Sequence, residues 1–165
     1  MTHPIRIEYF HASKFGNGAQ VAEEFKRLMR EKVDVVEVRH IREAKPKDIP
    51  PADLYVFSSP GRMGRPTGSM RRFLKKASLP PGAKYAILTT EMAPTPDKNG
   101  KMPTPEETAK WQRIRPIMTE LLEPKHLTKV AEASVEVETM RGPLEDHWHR
   151  KVEDFADTVS SSVQV

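Results

Sequence analysis

Ser13, Lys14, Gly16, Asn17 and Gly18 crowd into one short stretch of the chain. Before them lies Ile5–Phe10 (IRIEYF), a β-rich run. After them, from Ala19, apolar residues recur at helical spacing. A strand, a polar glycine loop and a helix start together make an anion site. The free N–H groups of the first helical turn and the helix dipole both favour a phosphate there. Ser13 and Asn17 add hydrogen-bonding side chains, Lys14 adds charge, and the two glycines allow close backbone approach. A second stretch, Ser59-Pro60-Gly61-Arg62-Met63-Gly64-Arg65, puts two arginines into another loop. The histidines do not read as metal ligands. His147 and His149 are two apart on a helical pattern and do not share a face, and His3, His40 and His126 are isolated. His11 alone ends a strand beside the anion loop. No metal and no catalytic side chain are expected.

Elements that could position these loops follow from the apolar periods. Val21, Ala22, Phe25, Leu28 and Met29 form one helix face, and Val33–Val38 reads as a second strand. Asp53–Ser58 is a near-continuous apolar run of the buried parallel type, and Tyr85–Thr90 is another. Met70, Phe73, Leu74 and Ala77 mark a helix entered at Pro66 or Thr67. Its other face, Arg71, Arg72, Lys75 and Lys76, is expected to be solvated. Glu91–Pro105 is a long Pro-rich loop, and loops of that length are usually functional or mobile. Thr104 or Thr108 caps the next helix, whose expected inner face is Trp111, Ile114, Ile117, Met118, Leu121 and Leu122, with a kink at Pro116. Val130–Val137 alternates as a fifth strand. Glu145–Val159 is a last helix with Trp148 inward, followed by a frayed tail over 161–165. The strand–helix alternation predicts one α/β domain over 1–160, with a doubly wound parallel sheet covered on both faces. Ligands of such sheets bind beyond the carboxyl ends of the strands. The loops leaving such ends are 11–18, 59–66 and 91–105.

Composition narrows the function. The chain has 165 residues and no cysteine, which excludes disulfide scaffolds, thiol catalysis and Cys-ligated metal centres. No apolar run approaches the ~18 residues of a membrane helix, and Met1–Ile7 carries no apolar leader, so the expected location is cytoplasmic. The net charge is +4. From Leu54 to Thr90 there is no Asp or Glu, yet seven of the 27 basic residues fall there, leaving 20 against 23 acidic ones elsewhere. All the net positive charge therefore sits in one segment, which points to an anionic partner.

Known phosphate loops can be compared with 13–18. The Walker A pattern is absent, and a dinucleotide fingerprint fails because Val21 replaces its third glycine. Ser13-Lys14-Phe15-Gly16-Asn17-Gly18 resembles the flavodoxin phosphate loop [ST]-x-[ST]-G-x-T, with Phe15 and Gly18 standing where hydroxyl residues usually are. Pro60, Arg62 and Gly64, followed by Met70, Arg71, Phe73 and Leu74, resemble the P-T-R-F-G and M-R-x-F-L stretches of the FMN-dependent quinone-reductase branch of that family. The resemblance spans the chain apart from an atypical segment at 94–110. It implies a three-layer flavodoxin-like fold with a five-stranded parallel sheet ordered 2-1-3-4-5. It also implies FMN as cofactor: phosphate on Ser13, Lys14, Phe15, Gly16, Asn17 and Gly18, and the ring between Ser59, Pro60, Gly61, Arg62, Met63 and Gly64 and the start of the third loop, Thr89, Thr90, Glu91 and Met92. Met63 and Met92 stand in for the ring aromatics of the family.

The function that the resemblance implies is electron transfer, or reduction of a quinone-like acceptor, with an anionic redox partner meeting Arg62 and Arg65. The alternative is a non-enzymatic module of the same fold that docks an acidic partner through its basic 62–76 segment. A receiver domain is disfavoured, because Phe10-His11-Ala12 and Ser58-Ser59 occupy the places of its acidic residues. Nucleic-acid binding is disfavoured because no aromatic platform accompanies the basic segment.

Overall fold

The computed structural model describes residues 3–164. Five strands build one parallel sheet: β1 (Arg6–His11), β2 (Val35–His40), β3 (Leu54–Ser58), β6 (Lys84–Met92) and β7 (Thr128–Val137), in the order β2-β1-β3-β6-β7. Counting only these strands, the order is 2-1-3-4-5, as the resemblance implied. Two further short strands, β4 (Gly61–Arg62) and β5 (Arg65–Pro66), pair antiparallel as a separate hairpin. The helices are α1 (Asn17–Met29), α2 (Gly68–Lys76), α3 (Pro105–Trp111), α4 (Ile114–Leu122) and α5 (Trp148–Val163).

Every residue of β3 is buried, which is why the sequence there is continuously apolar. Alternate side chains of the sheet feed two cores. On one face Ile7, Tyr9, Val56 and Leu88 pack against Val21 and Phe25 of α1 and Val152 and Phe155 of α5. On the other, Phe10, Phe57 and Ile87 pack against Phe73 of α2 and Met118 of α4. The Phe10 ring lies 5.3 Å from Phe73 and 6.0 Å from Phe57. The one carboxylate wholly buried in β1, Glu8, is neutralised by Arg6 beside it and by Arg39 from β2.

Three expectations are corrected. The helix expected around Pro116 breaks earlier, at Gln112–Arg113, because the Arg113 N–H donates to the Gly64 carbonyl (2.7 Å) rather than continuing a helix. Pro116 is the third residue of α4, where no intrahelical N–H bond is lost. Trp111 therefore ends a separate helix and is 61% exposed instead of lying in the core. The segment expected to fray is helical to Val163, which is buried against the α1 side of the core; Val165 lies outside the described residues.

Candidate functional site

At the carboxyl ends of the strands a cavity of about 530 Å³ opens between the loops, within the size range of small-molecule sites. The first loop forms one wall through Ser13, Lys14, Phe15, Asn17 and Gly18. Gly16 lies off the wall, and its left-handed backbone (φ 95°) turns the chain into α1. The Ser13 Oγ accepts the Gly16 N–H at 3.1 Å. No side chain caps α1, so its first turn keeps N–H groups available where Asn17 and Gly18 line the cavity. The Asn17 side chain bonds instead to the Met140 carbonyl at 3.3 Å and ties a loop that follows β7 to the site. From that loop the Arg141 guanidinium lies 5.3 Å from the centre of the Phe15 ring.

From the second loop, Pro60, Gly61 and Arg62 line the cavity. Met63 and Gly64 do not. They form the hairpin turn between β4 and β5, both with positive φ, and Met63 is 84% exposed at its tip. Ser59 is buried below the loop, where its hydroxyl bonds to the Pro60 carbonyl and accepts the Thr67 N–H. On β6, Thr90 and Met92 line the cavity, while Thr89 and Glu91 turn away. The period-2 alternation of a strand explains the division. The Thr89 hydroxyl donates to Glu91 (2.5 Å), and Arg115 bridges Glu91 (2.7 Å) and Glu132 (3.1 Å). Of the sixteen residues expected at the site, ten therefore line it and six support it or lie outside it.

Other lining residues escaped the sequence reading. His40 ends β2 and Arg42 follows it, Thr67, Gly68, Ser69 and Arg72 come from the start of α2, and Val137 ends β7 with Met140 beyond it. Only Arg72 carries a signal in the sequence, as part of the basic segment 54–90. Arg72 is exposed, as the solvated face requires, and its guanidinium also folds back to within 3.4 Å of where a β-carbon on Gly68 would stand. Lys14, Arg42, Arg62 and Arg72 all line the cavity, and no Asp or Glu does. Among the described residues none of these four makes an ion pair.

Two histidines hold the first loop from beneath. The His11 Nδ1 accepts the Ser13 N–H at 3.3 Å, and the His40 Nε2 donates to the Ser13 carbonyl at 2.9 Å. Burial, reinforced by His40, pushes His11 down to about 4. His11 is thus neutral at physiological pH.

This sheet order, with the cavity at the carboxyl edge over an uncapped helix start, defines the flavodoxin-like fold. The comparisons with solved structures agree. Flavodoxin 2 of Bacillus cereus superposes with a TM-score of 0.73 at 14% identity, covering 95% of this chain and 99% of that one. Oxidised flavodoxin 1 of the same organism gives 0.69 at 18% identity, with 96% and 99% covered. A Fusobacterium nucleatum flavodoxin variant bound to flavin mononucleotide gives 0.67 at 10% identity, with 98% of each chain covered. No family model and no curated protein matches the chain. No helix among the described residues is long and apolar enough to cross a membrane.

Proposed function

We propose that this protein binds FMN in the cavity and works in electron transfer, passing electrons to a redox partner or a quinone-like acceptor in the cytoplasm. The observation that carries this reading is the wall itself: an uncapped α1 start beside four cations, with no carboxylate facing the ligand. That donor set fits a phosphate dianion. Ser13–Gly18 would hold the phosphate. Pro60–Arg62 on one side and Thr90 with Met92 on the other would bound the ring. FMN, when bound, supplies the redox chemistry. The chain's residues bind, orient and shield, and no side chain need act as acid or base.

Arg62 and Arg65 pair across the hairpin at the mouth, and neither has an acidic partner among the described residues. This polarity suits an anionic acceptor or an acidic partner protein. Titration of apo-protein with FMN tests the reading. Quenching of flavin fluorescence at or below tens of micromolar is expected, and its absence overturns the proposal.

The exposed, unpaired cations also support a second reading, in which the same fold is a binding module for an acidic partner and holds no flavin. A colourless purified protein that does not take up FMN favours it. Partner binding that survives neutralisation of Arg62 and Arg65 counts against it.

A further inference from the structure

His11 closes β1 and His40 closes β2, and the two are direct partners in the parallel ladder. Their rings meet edge to face, with centroids 5.1 Å apart. Between them lies a single residue of the anion loop, held through the peptide groups on either side of it. Ser13 gives its N–H to His11 and takes a hydrogen bond at its carbonyl from His40. The second nitrogen of His40 is also engaged, since Nδ1 accepts the Arg42 N–H at 3.1 Å. An imidazole that accepts at Nδ1 and donates from Nε2 is neutral and fixed as one tautomer. A side chain at the edge of the sheet thereby sets the place of the first residue of the loop.

We infer that His40 is a positioning residue of the anion site. It holds the Ser13 peptide so that the Ser13 hydroxyl receives the Gly16 N–H and the first turn of α1 opens toward the cavity. The loop needs such an outside restraint. Phe15 and Gly18 carry no hydroxyl with which to organise it, and α1 has no capping side chain. The inference rests on the reading that Ser13–Gly18 takes a phosphate group.

Two conservative replacements separate the two bonds of His40. The amide of asparagine reaches about as far as Nδ1, and that of glutamine about as far as Nε2. His40→Asn keeps an acceptor for the Arg42 N–H and loses the bond to Ser13. His40→Gln keeps a donor for the Ser13 carbonyl and loses the Arg42 acceptor. The probes are inorganic phosphate, followed by amide shifts of residues 13–18 up to tens of millimolar, together with FMN and riboflavin, followed by fluorescence quenching. His40→Asn is expected to weaken phosphate and FMN about tenfold, the worth of one hydrogen bond, and to leave riboflavin unchanged. His40→Gln is expected to stay within about threefold of the parent for phosphate and FMN. In the parent, imidazole nitrogen shifts are expected to report His40 protonated at Nε2.

Asparagine and parent proteins with equal phosphate affinity would overturn the inference and leave the flavin reading intact. An equal loss in the Asn and Gln variants, or of FMN and riboflavin alike, would reduce His40 to a structural role and also overturn it. A parent that binds phosphate at the loop but not FMN removes the flavin reading while the Asn and Gln variants still decide the role of His40. A parent that binds neither removes both.

Discussion

Ser13 occupies the space that a side chain at position 18 would need: a β-carbon on Gly18 would come within 3.2 Å of the Ser13 Cβ. The departure of Gly18 from the flavodoxin loop pattern therefore follows from packing inside the loop. Restoring the usual threonine has a calculable effect. Gly18→Thr is expected to cost about 1–2 kcal/mol in urea denaturation, because Ser13 must give way, and to loosen FMN. Phe15 is 41% exposed, so Phe15→Ser regains the other hydroxyl within about 0.5 kcal/mol of the parent stability and is expected to tighten FMN. A Gly18→Thr variant that binds FMN more tightly than the parent would refute the packing argument.

Gly64 and Gly61 predict unequal costs for the same substitution. A β-carbon on Gly64 would stand 2.1 Å from the backbone oxygen of Trp111, at a φ of 75°. One on Gly61 would meet the Cδ1 tip of Ile114 at 2.2 Å, and that tip can rotate. Gly64→Ala is expected to lose about 2–4 kcal/mol and Gly61→Ala about 1–2 kcal/mol. Urea midpoints in the reverse order would contradict this.

The position of His11 gives stability a pH dependence of definite sign. Its folded pKa of about 4 lies below the ordinary 6.5, so the unfolded chain binds the proton more readily. Its contribution is fully present above about pH 6.5, falls as the pH drops toward 4, and is constant below that. A loss on the order of 2 kcal/mol is expected across this window, and His11→Asn should flatten the slope. The measurement is urea unfolding at several pH values for both proteins. Equal slopes would show that His11 does not carry the effect.

The one-signed rim predicts salt-dependent kinetics. With FMN bound, reduction of an anionic quinone should slow at least tenfold in an Arg62→Glu, Arg65→Glu double variant at low ionic strength. The difference should nearly vanish at high salt. A neutral quinone should respond little. If both quinones slow equally, the arginines act through structure and not through their field.

Sequence and structure agree most closely where local pattern and burial coincide. The apolar run Leu54–Ser58 could only be an interior strand, and the alternation of strands and helices carried the sheet order through the family resemblance. Where the two differ, contacts distant in the chain decide. The apolar spacing places Trp111 in one helix with Ile114 and Met118 because nothing local marks the break at Gln112; the break is made by Gly64, nearly fifty residues earlier. Glu91 adjoins Met92 along the chain, but neighbours in a strand face opposite sides, and Arg115 pairs with Glu91 on the other one. His40 and Arg42 reach the cavity only because β2 pairs with β1 in a register that brings His40 level with His11. A long-range register of that kind leaves no mark in the residues themselves.

Helix α3 buries none of its residues. Its order is local, supplied by Pro105 in its first turn and by the capping box between Thr104 and Glu107. Both ends of the segment nonetheless return to one place. The Gln112 side chain reaches the Met92 carbonyl at 3.0 Å, beside the strand end from which the excursion begins. The stretch 94–111 is therefore a cassette, closed at its base and free of the core. A protease added to the native protein should nick it first. A shortened version, rejoined by a brief turn between Met92 and Gln112, should still fold, which would make this the natural entry point for grafting new sequence next to Met92 of the cavity wall.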